Sequence, residues 1–360
     1  MKSYRAILGM AGRILVSAVL LLWIFHAIFM EQGKLLAASE SIRWQELPRM
    51  EQWRMAWFIG PKALCNILSL THWSCFLLSL LCVGATVTLG AWRWHLLLKA
   101  QEISVRFRKT FQITMIGQFF NGFLLGSTGG DVLKAWYGTR ETEKSKTEAI
   151  TTVFVDRLLG LFSMLLFAVF FMLPNHHLLL VNKRLTLLTL FTLGMFGSCT
   201  VLIFAAGHGG LLSTILGRFR RLTPIHRSLE ACKKTARQPR LMLKVFLLSM
   251  LLNGFCVAQF VLVSRDLELN IGVTQLAVIV PMIICISSIP ITPSGLGVRE
   301  NLYVIMLSAP MLAIPATKAL ALSLIAYAGF LCWSALGSFF YLAYRSTCKS
   351  QIDQAAKEEA

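Results

Sequence analysis

Long apolar stretches alternate with short polar connections along this chain. They run Ile14 to Met30, Cys75 to Gly90, Ala149 to Leu173, Leu185 to Ala206, Leu241 to Val263, Ile271 to Ile289 and Thr317 to Tyr344. A membrane span needs about 20 mostly apolar residues, and in hydrocarbon a helix satisfies its own backbone hydrogen bonds. The pattern therefore predicts an all-α polytopic transmembrane helical bundle of about eight spans, counting re-entrant or broken segments. A membrane domain is expected over residues 1–345, followed by a hydrophilic tail over 346–360. Between the first two runs, Trp44, Trp53, Trp57 and Trp73 sit among balanced charges, a pattern suited to one or two amphipathic helices in the headgroup layer.

Two segments depart from the pattern. Thr110 to Gly130 is apolar enough to enter a membrane but carries Gly117, Asn121, Gly122, Gly126, Gly129 and Gly130. Glycine in that number weakens a helix. Counting the segment as a full crossing would also place the basic stretch Arg93 to Lys109 on the opposite side from the other basic loops. A re-entrant segment meets both constraints. The second break runs from Ser287 to Pro315, where Pro290, Pro293, Gly295, Gly297, Pro310 and Pro315 interrupt apolar sequence. Broken membrane segments in two halves of a protein commonly mark a binding site, although proline kinks at loop ends would read the same way.

Composition sharpens the picture. The chain is 56% hydrophobic and only 14% charged, and its net charge of +18 sits mainly in short connections such as Arg218 to Arg240. That asymmetry is expected of cytoplasmic loops and argues against nucleic-acid binding, since no binding module accompanies it. With the Arg218 to Arg240 connection inside, both termini fall on the cytoplasmic side of the cell membrane. Lys2, Arg5 and Arg13 could open a signal peptide, but the apolar run that follows is long for one, and an uncleaved first helix is expected. Nine cysteines and seven histidines show no metal-ligand spacing. No metal or cofactor is expected.

Charges inside membrane segments are costly and point to function. Asp156 and Arg157 lie within the Ala149 to Leu173 run, Asp131 and Lys134 follow the first break, and Arg299 and Glu300 follow the second. Adjacent helical residues diverge by about 100°, so Asp156 and Arg157 each need a partner on another element.

The residues around the breaks resemble a known family, the membrane region of lysylphosphatidylglycerol synthases, shared with stand-alone flippase-like membrane proteins. The resemblance rests on Arg93-Trp94, on Gly117-Gln118-Phe119-Phe120-Asn121, on Gly126-Ser127-Thr128-Gly129-Gly130-Asp131 through Arg140, on Asp156-Arg157-Leu158-Leu159-Gly160, and on Pro293-Ser294-Gly295-Leu296-Gly297-Val298-Arg299-Glu300. Lys134 departs from the arginine frequent in the family, and Ser294 from a glycine. The resemblance implies the lipid-handling half only, because aminoacyl transfer in that family belongs to a separate soluble domain.

The expected function is therefore a flippase or translocator of a phosphate-bearing lipid or lipid-linked intermediate. Lys134, Arg157 and Arg299 would bind the headgroup, with Asp131, Asp156 and Glu300 as supporting carboxylates. Asn121, Gly126, Gly129, Gly130, Pro293, Gly295 and Gly297 would shape the broken backbone. Two alternatives stay open: a membrane-embedded transferase with Asp131, Asp156 or Glu300 as general base, and a scaffold for a separately encoded glycosyl or aminoacyl transferase. The same charges could also serve only as buried ion pairs that pin the broken helices. No G-x-x-x-x-G-K-[ST] loop occurs, so ATP-driven pumping by this chain alone is not expected.

Overall fold

A computed structural model describes residues 43–70, 72–123, 129–142, 146–208, 237–289 and 298–358, together with Lys234 and a few positions between His26 and Ala38. Among the described residues every regular element is helical: α1 (Arg49–Leu70), α2 (Trp73–Ala100), α3 (Phe107–Phe123), α4 (Gly129–Arg140), α5 (Lys146–Met172), the single turn α6 (His176–Leu179), α7 (Lys183–His208), α8 (Pro239–Asp266), α9 (Val273–Ser287), α10 (Val298–Leu307) and α11 (Ala316–Glu358). Five are long and apolar enough to cross a membrane: α2, α5, α7, α8 and α11. Most of the first apolar run, Ile14 to Met30, lies outside the described residues.

Side-chain contacts define two ends of the bundle. At one end Glu141 accepts hydrogen bonds from Lys109 (2.9 and 3.1 Å) and from the Tyr344 hydroxyl (2.7 Å), while Lys234 donates to Glu102 (2.9 Å). At the other, His72 Nδ1 meets Asp266 at 2.8 Å, Asn175 donates to the Thr274 carbonyl (3.3 Å) and Lys318 to the Leu267 carbonyl (3.4 Å). We call these the Tyr344 end and the His72 end. Helices α2 and α8 run antiparallel between them, tied again along their length by Arg93 Nη1 donating to Ser249 Oγ at 3.1 Å.

Four shorter helices, α3 with α4 and α9 with α10, make two hairpins that enter from opposite ends. Helix α3 starts at the Tyr344 end and α4 returns there, because Lys109 in the first turn of α3 and Glu141 just after α4 are in contact. This is the path expected of a re-entrant segment, and it extends through Arg140. Small residues let the arms touch: a Cβ placed on Gly130 would lie 1.9 Å from the Gly117 carbonyl oxygen, and the Gly130 N–H donates to Asn121 Oδ1 at 2.8 Å. The glycines that weaken this segment as a lone helix thus permit close packing of two.

The second hairpin differs from the sequence expectation of a full crossing over Ile271 to Ile289. Helix α9 has 15 residues, about 22 Å at the usual rise, well short of the roughly 30 Å hydrocarbon core. It begins at the His72 end, and α10 leads back through Ser308 to Pro315 to the start of α11 at that same end. Hydropathy misread it because the body of α9 is apolar on every side: Leu276 through Val280, Met282 and Ile283 are all buried in the main core cluster with Tyr303, Met306 and Leu322. A helix apolar all round can be buried in protein as well as in lipid.

Helix α11 locks the first hairpin to the bundle. Ser334 Oγ donates to the Gln118 carbonyl (3.0 Å), Trp333 Nε1 to the Leu80 carbonyl (2.8 Å), and a Cβ on Gly337 would lie 2.3 Å from the Met115 carbonyl oxygen. Bulky apolar side chains such as Phe154, Phe170, Leu202, Phe204 and Leu251 cover the outside, as a lipid-facing surface requires. Trp57, in the segment expected to lie in the headgroup layer, is on α1 and donates to His26 Nδ1 at 2.8 Å.

Candidate functional site

The inner ends of the two hairpins converge on one cavity of about 420 Å³. Gln118 and Asn121 come from the end of α3, Asp131 and Lys134 from the start of α4, Ser287 and Ser288 from the end of α9, and Arg299 from the start of α10. Arg93, Asp156, Arg157, Gln259, Ser323 and Tyr327 complete it from the long helices. Two half-length helices therefore begin at the cavity, and a helix N-terminus carries roughly half a positive charge.

Asp156 organises the site. One carboxylate oxygen accepts from Arg93 Nε at 2.7 Å and the other from Lys134 Nζ at 2.9 Å, and its backbone carbonyl accepts from Arg93 Nη2 at 3.2 Å. All three side chains are about a tenth exposed or less. Gly160, one turn along α5, makes room: a Cβ there would meet the Arg93 guanidinium at 2.9 Å. The Lys134 ammonium also lies 4.4 Å from the Trp94 ring centre, and the Trp94 indole donates to Thr152 Oγ1 at 3.1 Å. One carboxylate thus holds α2, α4 and α5 together through two cations.

Arg157 points differently. Its side chain is 44% exposed, and its Nε lies 3.6 Å from Asp131 Oδ2, beyond ordinary hydrogen-bond length. Asp131 Oδ2 is buried and has no hydrogen-bond partner among the described residues. Across the cavity Arg299 donates to Glu300 beside it and lies 4.0 Å over the Tyr327 ring, with its Nε left without a hydrogen-bond partner.

The structure therefore brings Asn121, Asp131, Lys134, Asp156, Arg157 and Arg299 to one cavity, with Glu300 buried against Arg299. Gly129 and Gly130 open α4 beside it. Gly126, Pro293, Gly295 and Gly297 lie outside the described residues. Arg93 is the residue that sequence reasoning put in the wrong place, in a basic loop; it is buried inside α2, which continues to Ala100. A charge ends a hydropathy window, and its partner stands 63 residues away. The available signal was Asp156, a buried carboxylate that needed more than one cation.

Comparison with known proteins agrees with this architecture. The family described as "Lysylphosphatidylglycerol synthase TM region" matches residues 52–336. A UPF0104 membrane protein of Pyrococcus horikoshii is 25% identical over 297 residues, covering 75% of this chain and 86% of that protein. A second UPF0104 membrane protein, from Methanocaldococcus jannaschii, is 24% identical over 287 residues, covering 74% of this chain and 84% of that relative. With the family match spanning most of the sequence, including both arms of the first hairpin and the charged starts of α4 and α10, this multi-pass membrane protein belongs to the lysylphosphatidylglycerol synthase transmembrane-region family.

Proposed function

We propose that this protein moves a phosphate-bearing lipid or lipid-linked intermediate across the cell membrane, with the headgroup passing through the central cavity and the tails remaining in the bilayer. The observation that carries the reading is the convergence of Arg157 and Arg299, on different elements, on a cavity where two half-length hairpins from opposite ends of the bundle meet. Broken helices that meet at membrane depth are a recurring way to build a transport site. Guanidinium groups match phosphate oxygens in a bidentate way that an ammonium does not. In this reading Arg157 and Arg299 take the phosphate. Lys134, whose Nζ is engaged by Asp156, serves as a brace with Arg93. The Tyr344 end carries Arg106, Arg108, Lys109 and Arg140 and is the cytoplasmic one by the positive-inside rule.

A transferase would need a carboxylate free to take a proton. Asp156 has a cation on each oxygen, Glu300 is held by Arg299 and Asp131 Oδ2 faces Arg157 Nε at 3.6 Å, so each of the three carboxylates has a cation opposing its protonation, which favours the translocator reading.

The test is translocation of fluorescent phospholipid in proteoliposomes, read beside thermal stability. Arg157→Gln is expected to abolish movement while leaving yield intact, and Arg157→Lys to lower the rate by about tenfold, the factor that losing roughly one charged hydrogen bond would give. Full translocation by a stable Arg157→Gln protein would refute the phosphate role.

A further inference from the structure

The three carboxylates of the site are held with unequal firmness. Asp156 accepts from Arg93 at 2.7 Å and from Lys134 at 2.9 Å, and Glu300 accepts directly from Arg299. Asp131 faces Arg157 at 3.6 Å, too far for a hydrogen bond, and its buried Oδ2 accepts none among the described residues. The other groups around it are Lys134 on its own helix, Asp156 on α5 and the Asn121 side chain on α3. None of these can replace the guanidinium. The Lys134 ammonium is committed to Asp156, Asp156 is itself an anion, and Asn121 is neutral. The charge on Asp131 therefore depends chiefly on one cation, and that cation is Arg157, the group assigned to phosphate above.

A phosphate that takes Arg157 changes what Asp131 faces. It brings a second anion to a guanidinium, and to a helix start, that Asp131 in the first turn of α4 already occupies. Two anions crowded on one site cannot both stay charged without cost, and a buried carboxylate stripped of its partner neutralises by taking a proton. Protonated, Asp131 also becomes a hydrogen-bond donor, so it can bond to a phosphate oxygen instead of repelling it. We infer that Asp131 is a proton-binding site coupled to the lipid. When phosphate takes Arg157, the Asp131 carboxylate accepts one proton from water. When phosphate leaves on the other side, Arg157 returns to Asp131 and the proton is released there, so one proton crosses with each lipid phosphate. This rests on the lipid-moving function proposed above and names its coupling.

The experiment uses the purified full-length chain in vesicles of uncharged galactolipid, which carries no phosphate, with a trace of acyl-labelled phosphatidylglycerol. A pH difference is imposed across the membrane with the electrical potential clamped at zero, and protein-free vesicles supply the passive rate. At one proton per lipid, a difference of one pH unit is expected to drive the labelled lipid toward about a tenfold excess in the leaflet facing the alkaline side. Asp131→Asn, which keeps the shape of the carboxyl but cannot exchange a proton, should leave the lipid evenly distributed. A second measurement does not need transport: short-chain phosphatidylglycerol is titrated into the detergent-solubilised protein in weakly buffered solution with a pH indicator. Wild type is expected to take up about one proton per lipid bound, Asp131→Glu to do the same, and Asp131→Asn to take up none. Binding without proton uptake by wild type would overturn the inference, as would uptake or accumulation that persists in Asp131→Asn. The lipid-moving function would stand in either case if exchange still stopped in Arg157→Gln. Exchange independent of Arg157 would remove that function and this inference together.

Discussion

Asp156 and Arg157 are neighbours in sequence with opposite physical situations. Asp156 is buried between two cations on other helices, whereas Arg157 is nearly half exposed toward the cavity. Removing one partner of a buried ionic cluster strands the others and costs about 3–5 kcal/mol. Asp156→Asn is therefore expected to lower the thermal midpoint and the yield sharply, because Arg93 and Lys134 lose their shared anion. Arg157→Gln should change stability by less than about 1 kcal/mol, as half-exposed pairs do. A thermal-unfolding comparison in detergent checks the contrast, and equal losses in the two variants would contradict it. That both residues needed outside partners was legible from the sequence, since adjacent helical positions diverge. The identity of the partners was not, because Arg93 reads as a loop charge until α5 is packed against α2.

The elements that shape the cavity are the two hairpins, and their packing rests on missing side chains. At Gly130 a methyl group would fall 1.9 Å from backbone oxygen, which no rotamer change can relieve. Gly130→Ala should force α3 and α4 apart and destabilise the protein by at least the roughly 1–3 kcal/mol typical of overpacking. Gly194→Ala on α7, where nothing lies within 4 Å, should be neutral or stabilising by up to about 1 kcal/mol. Thermal midpoints of the two variants decide this, and a Gly130→Ala protein as stable as Gly194→Ala would mean that the arms do not touch as described. The first hairpin was legible because glycines and a topological conflict coincide in Thr110 to Gly130. The second was only half legible: the prolines and glycines after Ser287 marked the break, but an apolar run buried in protein cannot be told from one facing lipid by hydropathy alone.

At the scale of the whole molecule, hairpins from opposite ends put a charged cavity inside a bundle whose exterior is apolar. In a background freed of native cysteines, single cysteines replacing Arg106 and Arg140 are expected to react with a membrane-impermeant thiol reagent from the same side, the cytoplasmic one. A cysteine replacing Glu268 should react from the other. Labelling of Arg106 and Arg140 positions from opposite sides would break the hairpin topology. The central claim is that a lipid headgroup occupies the cavity where the hairpins meet. Its most direct test is a phospholipid with a photoactivatable group on the headgroup, irradiated with the full-length protein in proteoliposomes and mapped by peptide mass spectrometry. Adducts are expected around Gln118 to Asn121, Asp131, Arg157, Arg299 and Ser323, to be competed by unlabelled phospholipid, and to disappear in Arg157→Gln. Adducts confined to the outer surface, at positions such as Leu202, Phe204 and Leu251, and unchanged by Arg157→Gln, would contradict it.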